Sequence, residues 1–159
     1  MKMKIKFIAL CIAATFTFTS CGDGKKAPEK LGEDAPKRTI VIEANDKMKY
    51  NMAEIKVKSG ERITLTLNNV GKMLKLSMGH NVVILKQGVD MEEFATKSRE
   101  YASNDYIPEE GKDIIAYTKM LGGGESDTIT FDAPAKGIYD FICSFPGHWA
   151  LMKGKFIVE

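Results

Sequence analysis

Near its C-terminus the chain reads Cys143-Ser-Phe-Pro-Gly-His148-Trp-Ala-Leu-Met152, placing a thiol, an imidazole and a thioether within ten residues. A second histidine, His80, stands in Met78-Gly79-His80-Asn81. One soft thiolate, two imidazoles and one weak thioether suit a trigonal copper site with a long axial methionine. Copper(I) favours soft sulfur and copper(II) accepts imidazole, so one donor set serves both oxidation states. The chemistry implied is the exchange of single electrons. Each residue alone has an ordinary alternative: histidine capping a turn, methionine filling a core, cysteine buried and inert. Three of them in one loop argue jointly for a metal. Zinc also takes Cys and His, but structural zinc seldom uses methionine. His80 and His148 are the chain's two histidines. A second histidine-rich site is therefore unavailable, and neither an open metal position nor an acid–base set marks an enzyme.

Aiming these side chains at one point needs a rigid frame, and the pattern supplies about eight short strands. Strand character runs through Thr39–Glu43, Ala53–Lys58, Arg62–Asn68, Asn81–Lys86, Asp113–Thr118, Ser126–Phe131, Gly137–Cys143 and Lys153–Val158. Arg62–Asn68 alternates strictly, with Ile63, Leu65 and Leu67 on one face. Turn chemistry separates the runs at Ser59-Gly60, Gly122-Gly123-Gly124 and Ala133-Pro134-Ala135-Lys136-Gly137. Asp90–Ala102 is different. Met91, Phe94, Ala95, Ser98, Tyr101 and Ala102 share a helical face, and Asp90 is placed to cap it. The expectation is an all-β sandwich carrying one inserted helical flap. The ligand loop joins the last two strands.

The first twenty residues have a basic start and an apolar run from Ile5 to about Phe18, as in a secretory signal. The run is too short for a good membrane span. It ends in Phe18-Thr19-Ser20-Cys21-Gly22, which resembles a bacterial lipobox with Phe18 in place of the usual leucine. Cleavage there makes Cys21 a lipidated first residue; ordinary cleavage nearby would leave it a free thiol. Residues 22–37 are polar and rich in Gly, Pro and Lys, a flexible tether able to reach roughly 50 Å at about 3.3 Å per residue. The division is thus 1–20 signal, 21–37 lipidated cysteine and tether, 38–159 folded domain. Cys11 leaves with the signal, so Cys143 is the thiol left to the domain, and no disulfide can form within it. The net charge of +2 includes Lys2, Lys4 and Lys6 of the signal, and nothing in the remaining balance suggests nucleic acid.

From about Thr39 to Glu159 the chain resembles the azurins, bacterial cupredoxins. The resemblance is carried by Asn45-Asp46-Lys47-Met48, Met78-Gly79-His80-Asn81, Ala116-Tyr117-Thr118-Lys119, Gly124-Glu125-Ser126-Asp127 and the Cys143–Gly154 stretch with its C-x₄-H-x₃-M spacing. It implies a Greek-key β-sandwich and one type 1 copper ion bound by His80, Cys143 and His148. Met152 would lie on one axis and the Gly79 carbonyl opposite. Asn81 would donate a backbone hydrogen bond to the Cys143 sulfur and tie the two ligand loops together. Phe145 would pack against the site, and Pro146 removes one backbone donor near the sulfur. The His148 edge would emerge through an apolar patch of Met73, Met78, Pro146, Trp149, Ala150 and Leu151.

The chain departs from that pattern in places. The family's N-terminal disulfide is replaced by Arg38 and the Ser59–Glu61 turn, Val82 stands at a common tryptophan position, and Asn69 at a common non-ligand histidine position. The function implied is a one-electron carrier, lipid-anchored in the bacterial cell envelope and facing the periplasm. Its transient partners would be c-type cytochromes or copper oxidoreductases. Copper storage or delivery is the alternative of a different class, and a dedicated reductant for a peroxidase or nitrite reductase differs from the carrier only in partner.

Overall fold

The computed structural model describes residues 34–108 and 111–159. The segment expected to be a signal, Cys21 and most of the expected tether lie outside those residues. Among the described residues, nine strands form two sheets. The first holds β1 (Lys37–Asn45), β2 (Lys49–Tyr50), β4 (Arg62–Asn69) and β7 (Ser126–Asp132) in the order β2-β1-β4-β7. The second holds β3 (Glu54–Val57), β5 (Val83–Leu85), β6 (Ile114–Tyr117), β8 (Gly137–Ile142) and β9 (Lys153–Val158) in the order β3-β9-β8-β5-β6. This is the expected Greek-key β-sandwich.

The alternation read in Arg62–Asn68 is realised. Ile63, Leu65 and Leu67 are fully buried, and β4 runs parallel to β1 and antiparallel to β7. Their partners across the sandwich are Ile84, Phe141 and Phe156, also fully buried. Burying each such side chain contributes about 1.5–3 kcal/mol. Strand β5 is buried on both faces for a reason. Ile84 points into the main core, while Val83 and Leu85 face a second cluster with Phe94, Ala95, Ile107, Ile114 and Ile142. That second cluster is roofed by the helical flap.

The flap differs in detail from the expectation. Helix α2 spans Met91–Ser98 and passes into a 3₁₀ turn at Arg99–Asn104. Phe94, Ala95 and Ser98 are buried as the periodicity requires, but Ala102 is exposed, because the tighter 3₁₀ winding rotates it off the face. The Ser98 hydroxyl donates to the Phe94 carbonyl at 2.9 Å, within the last turn of α2. Two elements were not legible: the two-residue strand β2, and a single helical turn, α1 (Lys75–Met78), just before His80.

The sheet register brings the ligand loops together. Strands β8 and β9 pair antiparallel with Ile142 opposite Lys153, so residues 143–152 are their connection. β5 pairs with β8 through Val83 and Ile142, placing His80 and Cys143 at the same end of the sandwich. His80 is itself fixed by reciprocal backbone bonds to Leu121, at 3.0 and 2.8 Å.

The Asp90 side chain accepts from the Glu92 and Glu93 amides at 2.9 Å each, capping α2. Asp90→Ala should therefore lower stability by about 0.5–2 kcal/mol, measured by urea denaturation of the metal-free protein; an unchanged midpoint would show that the flap is not held by its cap.

Candidate metal centre

The ligand loop is built from two local turns. Pro146-Gly147 occupies the centre of a β-turn closed by the His148 amide on the Phe145 carbonyl at 3.0 Å. Gly147 has φ of 83°, and proline followed by a positive-φ glycine is the type II pattern. One helical turn follows, with the Met152 amide on the His148 carbonyl at 2.8 Å. The Cys143 amide then bonds the Met152 carbonyl at 3.0 Å and closes the loop at its base.

This folding brings His80, Cys143 and His148 together, with one ligand-capable atom from each lying within 4.8 Å of the others. Cys143 Sγ is 3.6 Å from His148 Nδ1 and 3.8 Å from the Gly79 carbonyl. The two imidazole centroids are 5.0 Å apart. His80, Cys143 and Met152 have no exposed surface, and His148 retains 4%. Three of the five residues singled out in the sequence, His80, Cys143 and His148, therefore meet at one end of the sandwich. Gly79 approaches with its carbonyl, and Met152 is buried in the main core cluster.

The ring nitrogens of His80 are committed unequally. Nε2 donates to the Asn45 carbonyl at 3.0 Å, which leaves Nδ1 as the acceptor. That Nδ1 is buried and has no hydrogen-bond partner. A buried polar atom left unpaired costs about 1–3 kcal/mol, so its lone pair is placed for something other than water or protein. An electron-pair acceptor beside a thiol and a second imidazole answers that description. The donors fit copper, which takes imidazole nitrogen and thiolate sulfur.

Protonation favours metal over proton at the imidazoles. Burial lowers His148 to about 4, helped by the neighbouring His80 and opposed by the Gly79 carbonyl. His80 is also lowered by burial, against the Asn45 carbonyl and the Asp46 charge. Burial pushes the Cys143 thiol up to about 11, although the Asn81 and Phe145 amides and the Tyr50 hydroxyl oppose it. At neutral pH both rings are thus neutral ligands, while the thiol must yield a proton when metal binds. Tyr50 is itself raised well above its ordinary value, by burial and then by Cys143, and stays a donor.

Around these groups the loops are locked. Asn81 Oδ1 accepts from the Ser144 amide at 2.9 Å, and Asn81 Nδ2 donates to the Ser144 hydroxyl at 2.8 Å. The Phe145 ring lies 4.6 Å from the His148 ring, and Tyr106 meets Phe145 edge-on at 5.4 Å. Asn69 is buried; its Nδ2 donates to the Leu121 carbonyl at 3.1 Å and its Oδ1 accepts from the Gly71 amide at 3.0 Å. It props the loop with no charge to titrate.

Two site residues escaped sequence reasoning. Asn45 acts through its backbone carbonyl, which leaves no side-chain signature, and Tyr50 acts across the sandwich on the Asn81 carbonyl. The apolar surface also differs from the expectation. Trp149 is half-buried against the second core cluster with the Lys153 ammonium 5.4 Å over its ring. Met73 and Leu151 are exposed as expected, and Val70, Leu74 and Leu76 are exposed as well, with Leu76 90% exposed. Leu74 and Leu76 flank or lie within α1, too short an element for periodicity to reveal.

Comparison with known proteins agrees with the geometry. The family model described as copper binding proteins, plastocyanin/azurin family, matches residues 37–159. Azurin-2 of Alcaligenes xylosoxydans xylosoxydans is 47% identical over 118 residues, spanning 71% of this chain and 91% of that protein. Outer membrane protein H.8 of Neisseria gonorrhoeae is 43% identical over 118 residues, 72% of this chain and 63% of its own length. Among solved structures, auracyanin from the photosynthetic bacterium Roseiflexus castenholzii superposes with a TM-score of 0.70 at 39% identity, covering 76% of this chain and 96% of that one.

Gly79 packs where no side chain fits: a Cβ there would lie 2.6 Å from the Lys75 carbonyl and 2.9 Å from Met120. Gly79→Ala must displace α1 or Met120, and is expected to destabilise the metal-free protein by about 1–3 kcal/mol. Denaturant unfolding checks this, and wild-type stability would mean that the loop yields without cost.

Proposed function

Because the chain belongs to the plastocyanin/azurin family of copper-binding proteins, we propose that it is a type 1 copper protein carrying single electrons between redox partners in the bacterial cell envelope. The observation that carries this reading is the unpartnered Nδ1 of buried His80, set beside Cys143 and His148. His80, Cys143 and His148 would hold the ion, and the Met152 thioether and the Gly79 carbonyl are the further candidate ligands. Copper bound there supplies a one-electron couple between Cu(II) and Cu(I). The protein's share is to keep the ligands in place and exclude water. The Asn81–Ser144 bonds, the Asn45 bond to His80 and the closed Cys143–Met152 loop do the first. Near-complete burial does the second.

Residual exposure of His148 marks the point of access. It belongs to the same end of the fold as Met73, Leu74, Leu76 and Leu151, an apolar surface suited to brief docking. Lys72 precedes Met73 in sequence and Lys153 follows Leu151 by two residues, while the Lys75 ammonium is paired with Asp105 at 2.7 Å. That distribution favours a partner with an acidic face, such as an acidic c-type cytochrome or copper oxidoreductase. Storage or delivery of copper would call for exposed, exchangeable ligands, and burial of all three donors speaks against it. Lipidation at Cys21 and tethering through residues 22–37 would keep the domain at a membrane. A relative named as an outer membrane protein supports an envelope location.

Copper(II) added to the purified metal-free protein should produce an intense visible thiolate-to-copper band, and Cys143→Ser should abolish it. A colourless complex of the wild-type chain would end the carrier reading. Leu76→Glu should leave that band in place while slowing electron transfer to an acidic cytochrome about tenfold at low salt, followed by stopped-flow absorbance. Equal rates would remove α1 from the docking surface.

A further inference from the structure

Strand β2 is two residues long, and its second residue, Tyr50, pairs with Ala44 of β1 in the first sheet. Its ring packs 5.7 Å from that of Phe141, and its hydroxyl donates to the main-chain carbonyl of Asn81. Asn81 follows His80 on the way into β5 of the second sheet. The phenol therefore bridges the two halves of the sandwich beside the metal centre.

Asn81 is fully buried, and each of its polar groups is spoken for. Its amide faces the Cys143 sulfur, Oδ1 accepts from the Ser144 amide, Nδ2 donates to the Ser144 hydroxyl and at 3.4 Å to the Asp105 carbonyl, and the main-chain carbonyl accepts from Tyr50. Three of these contacts lie within the two ligand loops and move with them. The Asp105 contact holds the side chain from the end of the flap, and the Tyr50 contact holds the main chain from the opposite sheet.

We infer that Tyr50 is a positioning residue: by holding the Asn81 carbonyl, it sets how closely the Asn81 amide approaches the Cys143 sulfur. The inference rests on the copper reading above. A donor to the sulfur draws charge from it and weakens its donation to oxidised copper, so the contact raises the reduction potential. Without the phenol, a buried carbonyl loses its partner, Asn81 relaxes and the sulfur regains charge.

Tyr50→Phe keeps the ring and removes only the hydroxyl. In the copper-loaded protein it should lower the reduction potential and displace the visible thiolate-to-copper band; in the metal-free protein it should speed hydrogen exchange at the Asn81 amide. Tyr139→Phe is the matched control, since the Tyr139 hydroxyl donates to the Ala135 carbonyl at 2.7 Å, in the turn leading into β8 and away from the ligand loops. It should cost comparable stability and leave potential, band and Asn81 exchange unchanged. A Tyr50→Phe protein that loses stability but keeps all three wild-type readings would overturn the inference, as would equal shifts in both variants, or a shifted potential and band with Asn81 exchange unchanged, which would mean that the hydroxyl acts on the Cys143 sulfur directly. Should the phenylalanine variant not fold, 3,5-difluorotyrosine at position 50 keeps the hydroxyl and strengthens it as a donor. The potential should then rise, and an unmoved potential overturns the inference. A wild-type chain that forms no coloured copper complex fails the copper reading instead, which separates the two results.

Discussion

Everything at the metal end of this molecule depends on joining two loops that the chain places far apart. The Asn81 side chain makes that join, donating to and accepting from Ser144 across a separation of 63 residues. Both bonds are buried, so neither competes with water, and breaking one leaves a polar atom stranded in the core. Through this clasp the position of Cys143 becomes a function of the position of His80. The sheet register does the coarse alignment, with Val83 opposite Ile142, and the clasp fixes what remains.

A centre held this way carries its cost in the empty state. Two neutral imidazoles, a protonated thiol and one unpaired ring nitrogen lie within a region of almost no solvent exposure. A softer fold would collapse onto itself or admit water to satisfy those groups. Here the ligand loop has no such freedom. The Pro146-Gly147 turn, the helical turn after it and the Cys143–Met152 bond use its backbone groups internally. The site is preorganised, and little has to move when the charge at its centre changes by one unit.

Much of this was legible in the sequence because it is written in side chains. Cys143, His148 and Met152 share one loop, Ile63, Leu65 and Leu67 alternate, and Asp90 precedes an apolar helical face. The structure bears out the strands and the cap, with edges shifted by a few residues. The parts that were not legible act through the backbone or through non-local packing. Any residue at position 45 offers a carbonyl, so Asn45 gave no signal of its bond to His80. Tyr50 reads as an ordinary aromatic until the two sheets are stacked. Trp149 invited a surface role because it follows a ligand, yet its ring turns partly into the cluster under the flap. Leu74 and Leu76 sit in a single helical turn, below the length at which periodicity can speak.

The parallel pairings have a consequence in time. β1 pairs in parallel with β4, and β3 with β9, the last strand of the chain. Contacts of such long sequence separation raise the contact order and slow folding, since loop-closure entropy is lost before the contacts form. Residues from β1, the loop before β5 and the β8–β9 connection must all be in place before the donor set exists. The chain thus offers no complete donor set until those elements have come together. A metal held by all three donors can follow only once these elements have docked, so occupation of the site doubles as a report that the final strand is in place.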